Sequence, residues 1–264
     1  MTHRLGWALA DGWTIARRDL AHWRMQPGLV IFGWFFPVLM MLMFGALLGG
    51  AMERPNGESY YELLVPGIFA LAMLFGLEGT MTAVTTDAAK GVTDRFRSLP
   101  MSSSAVVLGR CIADMLDSIV TLTVLAGAGL ALGWRWHGTF PAALAAFALL
   151  LLLRSALLWV GIYIGLVVKN AQSVTMVQVL VWPIGFLSSA FVATSTMPGW
   201  LGAIAQWNPL SSTATAARSL FQNPDAAAGS WIGDHSLTAA ILWPLLLTAV
   251  FLPLSATKFR NLSR

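Results

Sequence analysis

Six stretches of this chain, about residues 28–50, 63–86, 105–133, 141–168, 174–193 and 237–257, are apolar over the length a helix needs to cross a bilayer, roughly 20 residues. No other feature narrows the fold so far. In hydrocarbon every backbone N–H and C=O must be satisfied within the spanning element, and helices do this segment by segment. Composition agrees: 57% of the 264 residues are hydrophobic and only 11% are charged, against about 25% charged in a soluble domain. The expected fold class is therefore all-α membrane protein with six transmembrane helices. Pro37, Pro183, Pro244 and Pro253 fall inside spans, where neighbouring helices can satisfy the freed carbonyls.

The distribution of Lys and Arg sets the orientation. With a cytoplasmic N-terminus, twelve of the sixteen basic residues lie in inside segments, three (Arg54, Arg135, Arg218) in outside ones, and Arg154 within a span. Both termini are thus expected in the cytoplasm of a multi-pass plasma-membrane protein. Residues 1–27 form a cytoplasmic interfacial segment, 28–257 a single transmembrane domain and 258–264 a cytoplasmic tail. The first span is too long for a cleaved signal peptide and has no A-x-A-like site after it.

Leu5, Leu9, Trp13, Leu20 and Trp23 step along one helical face before Pro27, as in a helix lying at headgroup depth. It serves as an anchor, or as a lever against a cytoplasmic partner. A second amphipathic segment separates spans two and three: DAAKGVTDRFRSLPMSSS, Asp87 to Ser104. Val92, Phe96 and Leu99 recur at i, i+4 and i+7, ringed by Asp87, Lys90, Asp94, Arg95 and Arg97, and Pro100 ends the turn. Such a short helix either rests on headgroups or fits a groove on another protein.

Several residues are costly at their positions. Arg154 in span four should find an acid, with Glu78 or Asp117 as candidates; the trio reads as an interhelical brace or as part of a transport path. Asp114 also falls near the start of span three. Met73, Phe75, Phe186 and Phe191 line an apolar cavity or face lipid. Small pairs at Gly45/Gly49, Gly129/Gly133 and Gly161/Gly165 suit close helix packing. Trp134, Trp136 and Trp231 read as outer-interface anchors. Residues 194–236 are too apolar for an exposed loop and are cut by Pro198, Pro209 and Pro224; they predict two short re-entrant or interfacial helices on the outer face, either a lid or a stabilising cap. The lone Cys111 excludes an intrachain disulfide, and the four histidines lack metal-ligand spacing. The chain has no GxxxxGK[ST] phosphate loop and no Gly-Lys dipeptide, so any ATP hydrolysis by that route belongs to another polypeptide. The modest net charge of +4 requires no nucleic acid.

KGVTDRFRSLPM, followed by LGRCIADML, resembles the membrane subunits of ABC type-2 exporters, most of all the daunorubicin-resistance group. LVPGIFA at Leu64–Ala70 and MPGWLGAIAQWNPLSSTATAARSL between spans five and six are similar to the same group. The resemblance implies a six-span permease, not an enzyme, that pairs with a second copy or a related subunit. It also implies a separate ATP-binding subunit, which binds ATP and Mg and docks beneath. The segment between spans two and three becomes its coupling helix, through Asp87, Lys90, Gly91, Asp94, Arg95, Phe96, Arg97, Ser98, Leu99 and Pro100. Where wider relatives carry glutamates at the start of this loop, this chain has Asp87-Ala88-Ala89. The implied cargo is a lipophilic or amphipathic small molecule or a lipid. Three rival readings stand beside it: an ion-coupled secondary transporter using Glu78, Asp117 and Arg154, an assembly subunit that moves nothing, and an intramembrane protease. The last lacks a histidine in any span.

Overall fold

A computed structural model describes residues 27–50, 59–90, 103–168, 171–223 and 231–261, with residues 12–14, 16, 17, 21 and 25 of the N-terminal segment, which are helical. The helices are α1 (Pro27–Leu48), α2 (Tyr60–Ala89), α3 (Ser103–Ala131), α4 (Phe140–Val167), α5 (Ala171–Phe186), α6 (Gly199–Gln206), α7 (Pro209–Phe221), α8 (Trp231–Asp234) and α9 (Ser236–Asn261), with a 3₁₀ turn at Thr194–Thr196. Among the described residues there is no strand. Five helices, α1 to α4 and α9, are long and apolar enough to cross a membrane.

Helix starts follow local chemistry. The Ser59 hydroxyl accepts from the Tyr61 N–H at the start of α2, with Glu62 in its first turn. Thr139 caps α4 ahead of Pro141, and Asn208 caps α7 ahead of Pro209. Helix α3 ends at Ala131, and Gly133 just beyond it, with φ of +100°, lets the Trp134 N–H return to the Gly129 carbonyl. That turn corrects one expectation. Trp134 is no interface anchor: it is 1% exposed, packs on Phe69 and Phe221, and donates from Nε1 to Asn223 Oδ1 at 2.9 Å. Trp136 is exposed as expected; the side chain of Trp231 lies outside the described residues, as do Leu5, Leu9, Leu20 and Trp23.

The fifth expected span, 174–193, is helical only to Phe186. Sixteen residues reach about 24 Å, short of a hydrocarbon core of about 30 Å. The chain then runs irregularly and mostly buried through 187–193. It can do so because side chains from elsewhere take up its carbonyls. Asn208 Nδ2 donates to Ile184 O and Leu187 O, Arg218 Nη2 to Ser189 O and Ala190 O, and Tyr60 Oη to Phe191 O. Irregular backbone at this depth is tolerated where protein buries it.

Helix α2 is the axis of the molecule, buried over most of Leu63–Met81 and packed against α1, α3, α4, α5 and α7. Gly161 and Gly165 of α4 lie against Leu77, Thr80, Met81 and Val84 of α2, as a small-residue pair should. Gly45 accommodates the Tyr61 ring, whereas Gly49 and Gly133 meet no other helix. Gly67 faces the backbone of Ala190, and a Cβ there would overlap it. Gly67→Ala is therefore expected to lower stability by about 1–3 kcal/mol, read as an earlier thermal unfolding transition in detergent. Large apolar side chains stay exposed on the outer faces of α1 (Phe32, Phe35), α5 (Val179, Leu180) and α9 (Leu242, Leu246), as suits contact with hydrocarbon.

Candidate functional site

Three helices converge on Arg154. Helix α4 carries it at mid-length, 2% exposed. Its Nε donates to Ser118 Oγ of α3 at 3.0 Å and its Nη2 to Thr80 Oγ1 of α2 at 2.8 Å. The same Nη2 is 3.5 Å from Asp114 Oδ2, to which Thr80 Oγ1 also donates at 2.5 Å. One turn back on α3, Arg110 Nε lies 3.1 Å from Asp114 Oδ1. Gly76 of α2 makes room for the guanidinium; a Cβ there would come 2.5 Å from Nε.

The acid that answers Arg154 is thus Asp114, and the expectation of Glu78 or Asp117 is corrected. The reason lies in the direction each side chain takes from its helix. Residues three and four apart share a face, so Arg110, Asp114 and Ser118 form one stripe of α3 toward α4. Asp117 is turned off that stripe toward α1, where Trp34 Nε1 donates to its Oδ1 at 2.8 Å. Glu78 lies two residues from both Gly76 and Thr80, on another face of α2. Among the described residues, Glu78, Asp117 and Arg154 share no hydrogen bond or ion pair, so the structure does not gather them into a relay.

A second buried arginine was not anticipated. Arg218 of α7, assigned from sequence to an outside segment, is fully buried. Its Nε donates to Leu63 O at 2.9 Å, its Nη1 to Ser189 Oγ at 3.3 Å, and its Nη2 to the carbonyls of 187–193 already described. It ties α7 to the start of α2 and the end of α5. The sequence signal is its setting: an arginine that follows the unbroken run of small residues SSTATAA.

The expected cavity residues fall in two places. Phe75 meets Trp182 at 5.0 Å and Phe36 at 5.8 Å between ring centroids. Phe186 stacks on Phe191 at 5.3 Å, and Phe44 closes on Phe191 at 4.3 Å. Trp182 joins the two groups, 6.0 Å from Phe186. Met73 is buried in the core, two residues and so nearly half a turn away from Phe75.

Of the segment between α2 and α3, Asp87 lies in the last turn of α2 and is half-buried; Lys90 is exposed and closes the helix through its N–H to Thr86 O at 3.0 Å. Gly91, Asp94, Arg95, Phe96, Arg97, Ser98, Leu99 and Pro100 lie outside the described residues. What the fold fixes is their anchorage: the segment joins the end of α2 to the start of α3, the two helices clamped to α4 through Arg154.

Comparison with known proteins covers these parts together. Residues 11–221, from before α1 to the end of α7, match the ABC-2 type transporter family. The chain is 35% identical over 226 residues to the daunorubicin resistance ABC transporter permease protein DrrB1 of Streptomyces coeruleorubidus, covering 85% of this chain and 77% of that protein. It is 24% identical over 215 residues to a probable doxorubicin resistance ABC transporter permease protein, DrrC, of Mycobacterium tuberculosis, covering 76% and 73%. A putative transport permease, ycf38, of Cyanophora paradoxa is 24% identical over 227 residues, covering 84% and 76%. With a family match across most of its length and a permease relative at this identity, the chain belongs to the ABC-2 type transporter family.

Proposed function

We propose that this chain is the six-span permease subunit of an ATP-driven exporter for lipophilic or amphipathic small molecules. The observation that carries this reading is the 35% identity, over most of both chains, to a permease named for daunorubicin resistance. The sixth crossing is made by α5 together with the buried irregular stretch 187–193. The 3₁₀ turn, α6 and α7 form an outer cap, both termini lie in the cytoplasm, and two permeases pair to enclose the path. A separate ATP-binding subunit docks at Asp87–Pro100.

The packing supports a mechanical role for that segment. Arg154, Asp114, Thr80 and Ser118 bind α2, α3 and α4 into one unit. A push delivered between α2 and α3 then moves three helices together rather than bending one. ATP-driven approach of two partner subunits would tilt that unit and switch the path between inward and outward access.

Cells producing this chain together with its ATP-binding partner should accumulate less doxorubicin than cells producing either protein alone. Equal accumulation in all three would refute an exporter of this cargo class.

A further inference from the structure

Glu78 and Asp117 both stand outside the Arg154 cluster, and of the two only Asp117 is held by a donor from another helix, Trp34 of α1. Two contacts with α5 fix where Glu78 points. One turn before it, Phe75 packs on Trp182; one turn after it, Thr82 Oγ1 accepts from Gln178 Nε2 at 3.4 Å. Phe75, Glu78 and Thr82 are spaced by three and four residues and so form one stripe of α2 facing α5. Phe36 of α1 closes the aromatic end, with its ring 5.9 Å from Trp182. Glu78 is half-buried, and its Oε1 is shielded from solvent with no hydrogen-bond partner among the described residues.

This arrangement is unlike the other two acids. Asp114 and Asp117 each hold donors from a neighbouring helix and account for themselves as braces. Among the described residues, Glu78 Oε1 bonds to no neighbouring helix. An unanswered carboxylate toward hydrocarbon is costly, and intramembrane acids of this kind face a partner or a path. A carboxylate beside aromatic rings is suited to one ligand chemistry above others, an organic cation. The charge attracts it, the ring faces attract it further, and the same rings cover its apolar body.

We infer that the α1–α2–α5 face centred on Glu78 receives the positive end of a lipophilic cation, whose apolar body lies against Phe36, Phe75 and Trp182. This rests on the exporter reading above and deepens it by naming the charge class of the cargo. The test needs no ATPase. The chain is placed in nanodiscs, and binding of tetraphenylphosphonium is measured against empty nanodiscs, with tetraphenylborate as the anion of the same shape. The cation should bind saturably and more tightly than the anion. Glu78→Gln should weaken cation binding about tenfold, as expected for loss of one charge contact, and Glu78→Asp should retain most of it.

No cation binding, parity between cation and anion, or unchanged affinity in Glu78→Gln would each overturn the inference. So would a Glu78→Gln variant that binds the cation normally and only loses its pairing with a second copy, which would assign the carboxylate to an interface. If Glu78→Gln does not fold, the cation–anion comparison on the native protein decides alone. Absent ATP-driven export with intact cation binding would sink the exporter reading and leave this site standing.

Discussion

Phe96→Asp should abolish ATP-driven drug export and release the ATP-binding subunit, while the permease itself unfolds at the same temperature as the native protein. In the segment DAAKGVTDRFRSLPMSSS, Val92, Phe96 and Leu99 recur at i, i+4 and i+7, which puts Phe96 at the middle of the expected apolar stripe. Burying a phenylalanine in a partner's groove contributes about 1.5–3 kcal/mol. An aspartate there loses that and adds the desolvation of a charge. Together these exceed about 3 kcal/mol, which is more than a hundredfold in the partner's dissociation constant. Stability is expected to be spared because the core of the described residues is built around α2. Co-purification with the ATP-binding subunit reads the first effect and drug efflux the second. Native co-purification and efflux in the variant would show that the stripe does no more than lie on headgroups.

The second large effect belongs to Arg154→Leu. Removing one partner of a buried pair costs about 3–5 kcal/mol, chiefly because the other charge is left behind. Here Arg110 still lies 3.1 Å from Asp114 Oδ1, so a loss near the lower end is expected, seen as a fall in the thermal unfolding midpoint in detergent. The double variant Arg154→Leu with Asp114→Leu should recover most of it, because no carboxylate is left buried where the guanidinium was. Additive losses in the double variant would mean that the pair does not act as a unit. Arg154→Lys should fall between native and Leu: one ammonium cannot reproduce the separate bonds from Nε to Ser118 and from Nη2 to Thr80.

How much could be read in advance differs from residue to residue. Apolar run length located α1 to α4 and α9 to within a few residues, because in a membrane length and apolarity are the folding constraint themselves. The same reasoning overran in the fifth span. Leu187 to Ala193 are as apolar as what precedes them, and their departure from helix depends on Asn208, Arg218 and Tyr60, distant in sequence. The charge of Arg154 announced that an acid must be near; the choice among Glu78, Asp114 and Asp117 needed the face each acid occupies. The stripe Arg110, Asp114, Ser118 was present at i, i+4 and i+8 and marks the helix face that meets α4. Trp134 departs from the expected anchor because the glycine turn at Gly133, not the membrane boundary, decides where its ring goes.

On the proposed reading, a separate ATPase takes hold at the segment between α2 and α3. The direct measurement uses Phe96→Cys in a Cys111→Ala background, in inside-out vesicles with the ATP-binding subunit carrying a single cysteine at its docking groove. With an added thiol oxidant, a disulfide between the two subunits is expected, its yield changing when ATP is added. A residue-96 cysteine that is labelled only from the extracytoplasmic face, and never joins the ATPase, would contradict it.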